Sequence, residues 1–391
     1  MSALTPAEIR ETADWIASVQ MPDGMVPWYA GAHADPWNHV EAAMALAAGG
    51  CWPQAERAFE WLANEQLPEG SWCAAYVPGG VTEPRRDPNT CAYVATGAWW
   101  CAQLSQKTHV LEATWLMVKR AIDWCLNYQR PGGEITWSVD PDGVAAKFAL
   151  LAASSSLQHS LACGASIAKA LGHYEDAATW QKASALLAGA VVGRPDAFAP
   201  KSRWAMDWYY PVLTGALTGG EAQRKMESRW AEMLVPGIGT RCVADKSWVT
   251  AAESAECAMA AARAGLATSA AELLAWTRHF RARDGGYWTG CVHPDCVRFP
   301  SGQKSTYSAA AVIIADHVLH QRSPAAAIFS APRAADGGLA SRPASGTGSS
   351  DGFSSKGRSY GVGSPSDSTA ASASLAARRP EPMHAGTPTP L

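Results

Sequence analysis

Charge is what this chain has least of. Asp, Glu, Lys and Arg make up 17% of its 391 residues, and the formal net charge is −3. So sparse a charge offers no basic patch for nucleic acid, and no nucleic-acid partner is expected. Long apolar runs are missing too: none reaches the roughly 18–20 residues of a membrane span, so no transmembrane segment is expected. The opening MSALTPAEIRETADW has neither the basic nor the apolar region of an export leader. A cytoplasmic location is therefore expected. The ten cysteines mostly stand singly in Ala-rich apolar segments and read as reduced core residues. There is no Walker loop, no strand-linked GxGxxG, no GxSxG and no HExxH, and no cofactor is expected.

Tryptophan, by contrast, is plentiful at 18 copies, and it recurs in a pattern. Trp61 leads to Gln66, Pro68, Glu69, Gly70 and Trp72; Trp15 leads to Gln20, Pro22, Asp23, Gly24 and Trp28. Trp124 leads to Gln129, Pro131, Gly132, Gly133 and Trp137, and Trp276 to Arg281, Asp284, Gly285 and Trp288. The Trp belongs on an amphipathic helix, Gln in its last turn, and the Pro-Gly step stops the helix and turns the chain. Self-similarity of this kind marks a repeat architecture.

The segments between these steps alternate. Stretches such as 52–66, 111–128 and 221–234 carry a charged face. Stretches such as 36–48, 88–104, 144–171, 205–218, 248–264 and 305–320 are small, apolar and almost uncharged. A helix apolar all round must be covered all round. About twelve helices in six pairs then predict an all-α (α/α)6 toroid over residues 1–322, an inner ring within an outer one. An open solenoid would also bury such faces. Residues 323–391, rich in Ser, Gly, Ala and Pro towards the end, read as a disordered low-complexity tail.

In a toroid, the long loops and the inner-helix N-termini share one end. That end is the predicted site, with its free N–H groups favouring anions. Glu41, Glu253 and Glu256 lie inside Ala-rich, otherwise uncharged helices, where a carboxylate needs a partner or a wet cavity. Glu41 and Glu253 are the acid–base candidates, joined by His39 and by Asp207, which has an aromatic setting. Asp35, Trp37, Asn38, Tyr93, Trp208, Tyr209, Trp248 and Tyr307 are candidates for the binding wall. Arg203, Lys246 and Lys304 are candidate anion contacts, so a small anionic substrate is expected. Asp35 also reads as a helix cap. Cys291, His293 and Cys296 could ligate zinc, but a closed site needs a fourth ligand; no metal is expected.

Gln66-Leu67-Pro68-Glu69-Gly70-Ser71-Trp72 resembles the QxxxGxW repeat of squalene/terpene cyclases and the related repeats of protein prenyltransferase β-subunits. Both belong to the α/α-toroid superfamily, and the resemblance covers about residues 5–320. It implies the toroid and a prenyltransferase/terpene-cyclase-like transferase acting on an isoprenoid or other anionic lipid-type substrate. The DxDD and DDxxD acid motifs of the cyclases and synthases are absent. Asp295-Cys296 and His317 depart from the prenyltransferase zinc pattern. The alternatives are a six-hairpin carbohydrate-active enzyme, with paired carboxylates in an aromatic cleft, and a toroid that only binds.

Overall fold

A computed structural model describes residues 4–331. Its helices are α1 (Pro6–Val19), α2 (Pro36–Ala48), α3 (Trp52–Glu65), α4 (Pro88–Ser105), α5 (His109–Leu126), α6 (Leu151–Ala170) and α7 (Tyr174–Gly193). They continue with α8 (Ala205–Leu213), α9 (Gly219–Glu227), α10 (Trp230–Met233), α11 (Ala251–Arg263), α12 (Ala267–Trp276) and α13 (Thr306–Leu319). Helices α2, α4, α6, α8, α11 and α13 pack each against the next, and α13 returns to α2. The ring is therefore closed, and the open solenoid is excluded. The remaining helices lie outside it, as α7 does on α6 and α12 on α11.

Composition dictates which helices go inside. Every residue of α13 from Thr306 to Val318 is buried, and so is the run Asn38–Ala47 of α2. Small side chains let such helices approach closely: a Cβ on Gly97 of α4 would lie 2.4 Å from Val40 of α2. Asp35 and Asp87 cap α2 and α4, each followed by Pro at the first helical position.

The Trp–Gln–Gly repeat is a staple between neighbouring outer helices. Gln66 Nε2 donates to Gly70 O in its own turn (2.8 Å) and to Met117 O of α5 (2.9 Å). Gln20 does the same with Gly24 O and Gln54 O of α3, and Gln129 with Gly133 O and Ala183 O of α7. The turn glycine has positive φ, and a Cβ on Gly70 would sit 2.3 Å from Arg120 O. The fourth copy joins last to first. A Cβ on Gly285 would meet Glu11 O of α1 at 2.6 Å, and Arg281, in place of Gln, reaches Glu11 Oε2 at 2.6 Å.

The long loops carry strands that periodicity did not predict. Strands β1 (Cys73–Val77) and β2 (Gly80–Arg86) form an antiparallel hairpin before α4. Strands β3 (Leu234–Val235), β4 (Gly239–Arg241), β5 (Trp248–Thr250), β6 (Gly290–Val292) and β7 (Val297–Arg298) form one antiparallel sheet in that order. It ties the loop before α11 to the loop before α13. Most of these strands are only two or three residues long, too short to show an alternation.

Other boundaries move as well. Residues 144–150, expected to be helical, are loop, and α8 ends at Leu213 rather than near 218. The expected tail begins too early at 323: Pro324–Ile328 form a 3₁₀ turn, and Phe329 packs on Trp100 and His159. The rest of it, from 332 onward, lies outside the described residues. Among the described residues no helix is long and apolar enough to cross a membrane.

Candidate active site

The loops leading into the inner helices pair with one another at one end of the ring, and four buried carboxyl groups, Asp35, Asp87, Asp207 and Glu253, stand at the caps or in the first turns of those helices. Asp35 accepts from Asn38 N at 3.0 Å, and the Asn38 amide donates to its other oxygen. Burial raises its pKa. Asp87 caps α4 through Asn89 N at 2.9 Å, and burial pushes it up to about 7, opposed by the charge of Arg85. Glu253, in the first turn of α11, is buried and accepts from the Thr250 hydroxyl.

Two further carboxyl groups lie deeper. Glu41 stands six residues beyond Asp35 on α2, about 9 Å along a helix axis. Tyr93 donates to it from α4 at 2.5 Å. Glu256 accepts from Tyr210 at 3.0 Å, from Tyr307 at 2.6 Å and from Tyr209. Burial pushes Glu41 up to about 7 and Glu256 to about 8, with the charge of Asp35 adding to the first and that of Glu41 to the second. These two are hubs that hold an aromatic floor. Trp37, half-buried, stacks on Tyr93 at 4.3 Å and 5°, with Tyr210 tilted against it at 5.8 Å. Beneath, Glu41, Glu256, Ser156, His159 and Phe329 line a cavity with room for about one water molecule.

The predicted residues therefore divide. Asp35, Trp37, Asn38, Glu41, Tyr93, Tyr209, Glu253 and Tyr307 come together around this floor. His39 has another job. Its Nδ1 accepts from Val26 N at 3.0 Å, which fixes the proton on Nε2, and that donates to Ala58 O at 2.8 Å. Burial depresses its pKa to about 4, so it is a neutral strut with no nitrogen free.

Asp207 is also structurally committed. It accepts from Ala152 N of α6 at 3.2 Å, capping a helix whose own N-cap residue, Leu150, makes no side-chain cap. Burial nonetheless raises it to about 6. Trp208 points outward, donating to Lys225 O at 2.8 Å and packing on Trp230. Arg203 is spent on Asp245, at 2.7 Å, and Lys304 on Asp284. Lys246 is exposed, and Trp248 donates to Phe299 O at 3.2 Å. Among the described residues no three His, Cys, Asp or Glu side chains group to hold a metal, Cys291, His293 and Cys296 included. The cysteines are free, nine buried and Cys296 half-buried. Glu256 and Tyr210 were passed over as leading candidates. The signal for Glu256 was the one that singled out Glu41 and Glu253, a carboxylate in an Ala-rich helix.

No protein-family model matches the chain. A curated relative does. The MMP endo-(1,4)-3-O-methyl-alpha-D-mannosidase of Mycolicibacterium hassiacum is 42% identical over 326 residues, covering 83% of this chain and 90% of the relative. The chain belongs to this mannosidase family. Solved structures agree on the fold of the mannosidase-family chain. A wild-type glycosidase superposes with a TM-score of 0.63 at 15% identity, over 80% of this chain and 98% of its own. A bacterial glucoamylase complexed with acarbose gives 0.62 at 12% identity, over 83% and 57%.

Membership in the mannosidase family overturns the prenyltransferase/terpene-cyclase expectation, together with its isoprenoid or anionic substrate. The glycosidase alternative stands in its place. The repeat resemblance had reported the toroid, not the reaction. The basic residues recruited as anion contacts do not support an anionic substrate either, since Arg203 and Lys304 already have carboxylate partners.

Proposed function

We propose that this protein is a glycoside hydrolase that cuts α-(1,4)-linked, O-methylated mannose chains, with Asp35 as general acid and Glu253 as general base. One observation carries the reading: two buried carboxyl groups at the starts of inner helices, Asp35 as the cap of α2 and Glu253 in the first turn of α11, beside an aromatic floor, in a chain of the mannosidase family. Aromatic faces suit the C–H faces and O-methyl groups of such a sugar. The deeper Glu41 and Glu256 are occupied by phenol hydroxyls and serve as positioning groups.

Burial favours the protonated form of Asp35, as a general acid requires. Asp35 gives that proton to the glycosidic oxygen as the bond to the anomeric carbon breaks. Glu253 takes a proton from the water that adds to that carbon, and its orientation is set by the Thr250 hydroxyl. Asp35 and Glu253 belong to the first and fifth helices of the ring, with α13 between them. We assign them as acid and base of an inverting reaction, in which the water enters opposite the leaving group, and the configuration of the product tests that assignment.

The test is incubation with α-(1,4)-linked 3-O-methylmannose oligosaccharides, with NMR of the fresh product. New reducing ends in the β-configuration are expected. Binding without hydrolysis would sink the reading in favour of a non-catalytic toroid, and a product of retained configuration would remove Glu253 from its role as base.

A further inference from the structure

Five large apolar side chains stand exposed on the mouth-side loops, and the two aromatic ones occupy matching positions. Phe148 precedes α6 and is 39% exposed; Phe299 precedes α13 and is 48% exposed. Each is backed by an indole. Trp137 stacks on Phe148 at 5.4 Å and 24°, with the Arg85 guanidinium 4.6 Å from the centre of the indole. Trp248 meets Phe299 edge-on at 5.5 Å and 85°, and its Nε1 donates to Phe299 O.

Ring order places the two pairs opposite each other. Arg85 and the Trp137–Phe148 pair lie on loops leading into α4 and α6, second and third in the ring. Trp248 and Phe299 lie on loops leading into α11 and α13, fifth and sixth. In a closed ring of six, second faces fifth and third faces sixth. It is the Trp backing and the opposed placement, and not exposure alone, that make the two phenyl rings apolar platforms on both rims.

We propose that Phe148 and Phe299, each on its Trp backing, are two carbohydrate subsites on opposite rims. A single α-(1,4)-linked, O-methylated mannose chain would span them, passing over the floor between Asp35 and Glu253 on the Phe299 side. This rests on the proposed function for the class of sugar and adds where the chain lies. The O-methyl groups select the occupant, because they present apolar surface to the phenyl rings where free hydroxyls would have to shed water.

The test is calorimetric binding of an α-(1,4)-linked 3-O-methylmannose decasaccharide and disaccharide to the full chain. Phe148→Ala and Phe299→Ala should each weaken the decasaccharide about tenfold, with losses that multiply in the double variant. The disaccharide, too short to reach both rims, should lose far less. Leu116→Ala, on the outer face of α5, is the control and should bind as wild type. Decasaccharide affinity unchanged in both Phe variants would overturn the inference, as would equal losses for both sugars. Binding does not require turnover, so a chain that binds in this pattern without hydrolysing would defeat the proposed function and leave the two-rim site standing.

Discussion

The phenol of Tyr307 on α13 donates to Glu256 on α11 at 2.6 Å, and Tyr209 and Tyr210 reach the same carboxyl from α8. One buried group thus joins three of the inner helices. Its pKa stands near 8, against an ordinary 4.5, because burial disfavours the anion.

That shift sets a pH dependence. Folded Glu256 holds its proton more tightly than the unfolded chain does. Its favourable contribution is full below the ordinary value and is lost as pH rises through about 8. Glu256→Gln cannot ionise. The variant's melting temperature should therefore gain on the wild type between about pH 5 and pH 8. Parallel curves would show that Glu256 ionises in the fold as it does in water.

The proposed reacting groups and their supports should separate in kinetics. Asp35→Asn and Glu253→Gln should each lower kcat about 10²–10⁴-fold with little change in KM. Glu41→Gln retains an acceptor for Tyr93 and should lose only about tenfold. If Glu41→Gln is the most damaging of the three, the roles are reversed.

His39 should matter to stability and not to proton transfer. His39→Ala strips partners from Val26 N–H and Ala58 C=O, and should cost about 2–4 kcal/mol in a denaturant titration. The pH profile of kcat/KM should keep both limbs where they were. A limb that vanished would return His39 to the chemistry.

The staple glycines should be hard to replace. Gly70→Ala forces a Cβ to 2.3 Å from Arg120 O at a positive φ. The expected loss is about 2–4 kcal/mol. Gly79, also at positive φ but with nothing within 4 Å, should lose less on the same change, measured by thermal melts.

The ring was legible in the sequence because its rules are local. Gln66, Pro68 and Gly70 announce a helix end whatever the chain then packs against, and charge alone separates α2 from α3. The roles of single side chains were not local. His39 looked available because its partners, Val26 and Ala58, come from a loop and another helix. Arg203 and Lys304 looked like anion contacts because Asp245 and Asp284, 42 and 20 residues away, could not be placed beside them. Trp208 lies among aromatic neighbours, yet a few tens of degrees of helix rotation decide whether such a residue lines the mouth or faces α9. Glu41, Glu253 and Glu256 stood out because an ionisable group in an Ala-rich helix needs a partner, but the Thr and Tyr hydroxyls that supply those partners could not be placed from the sequence. The reaction was misread because the repeat that suggested it does a scaffolding job common to unrelated chemistries.

The seam of the ring is made by the two ends of the described chain. Gly285 closes on Glu11, Leu4 N–H bonds Asp316, and Arg322 bonds Leu4 O. A nascent chain on the ribosome therefore remains an open arc, the bare flank of α2 awaiting α13 through most of translation. Closure is an event of the last hairpin, and until then any chaperone that shields a small-residue apolar face has a surface to hold.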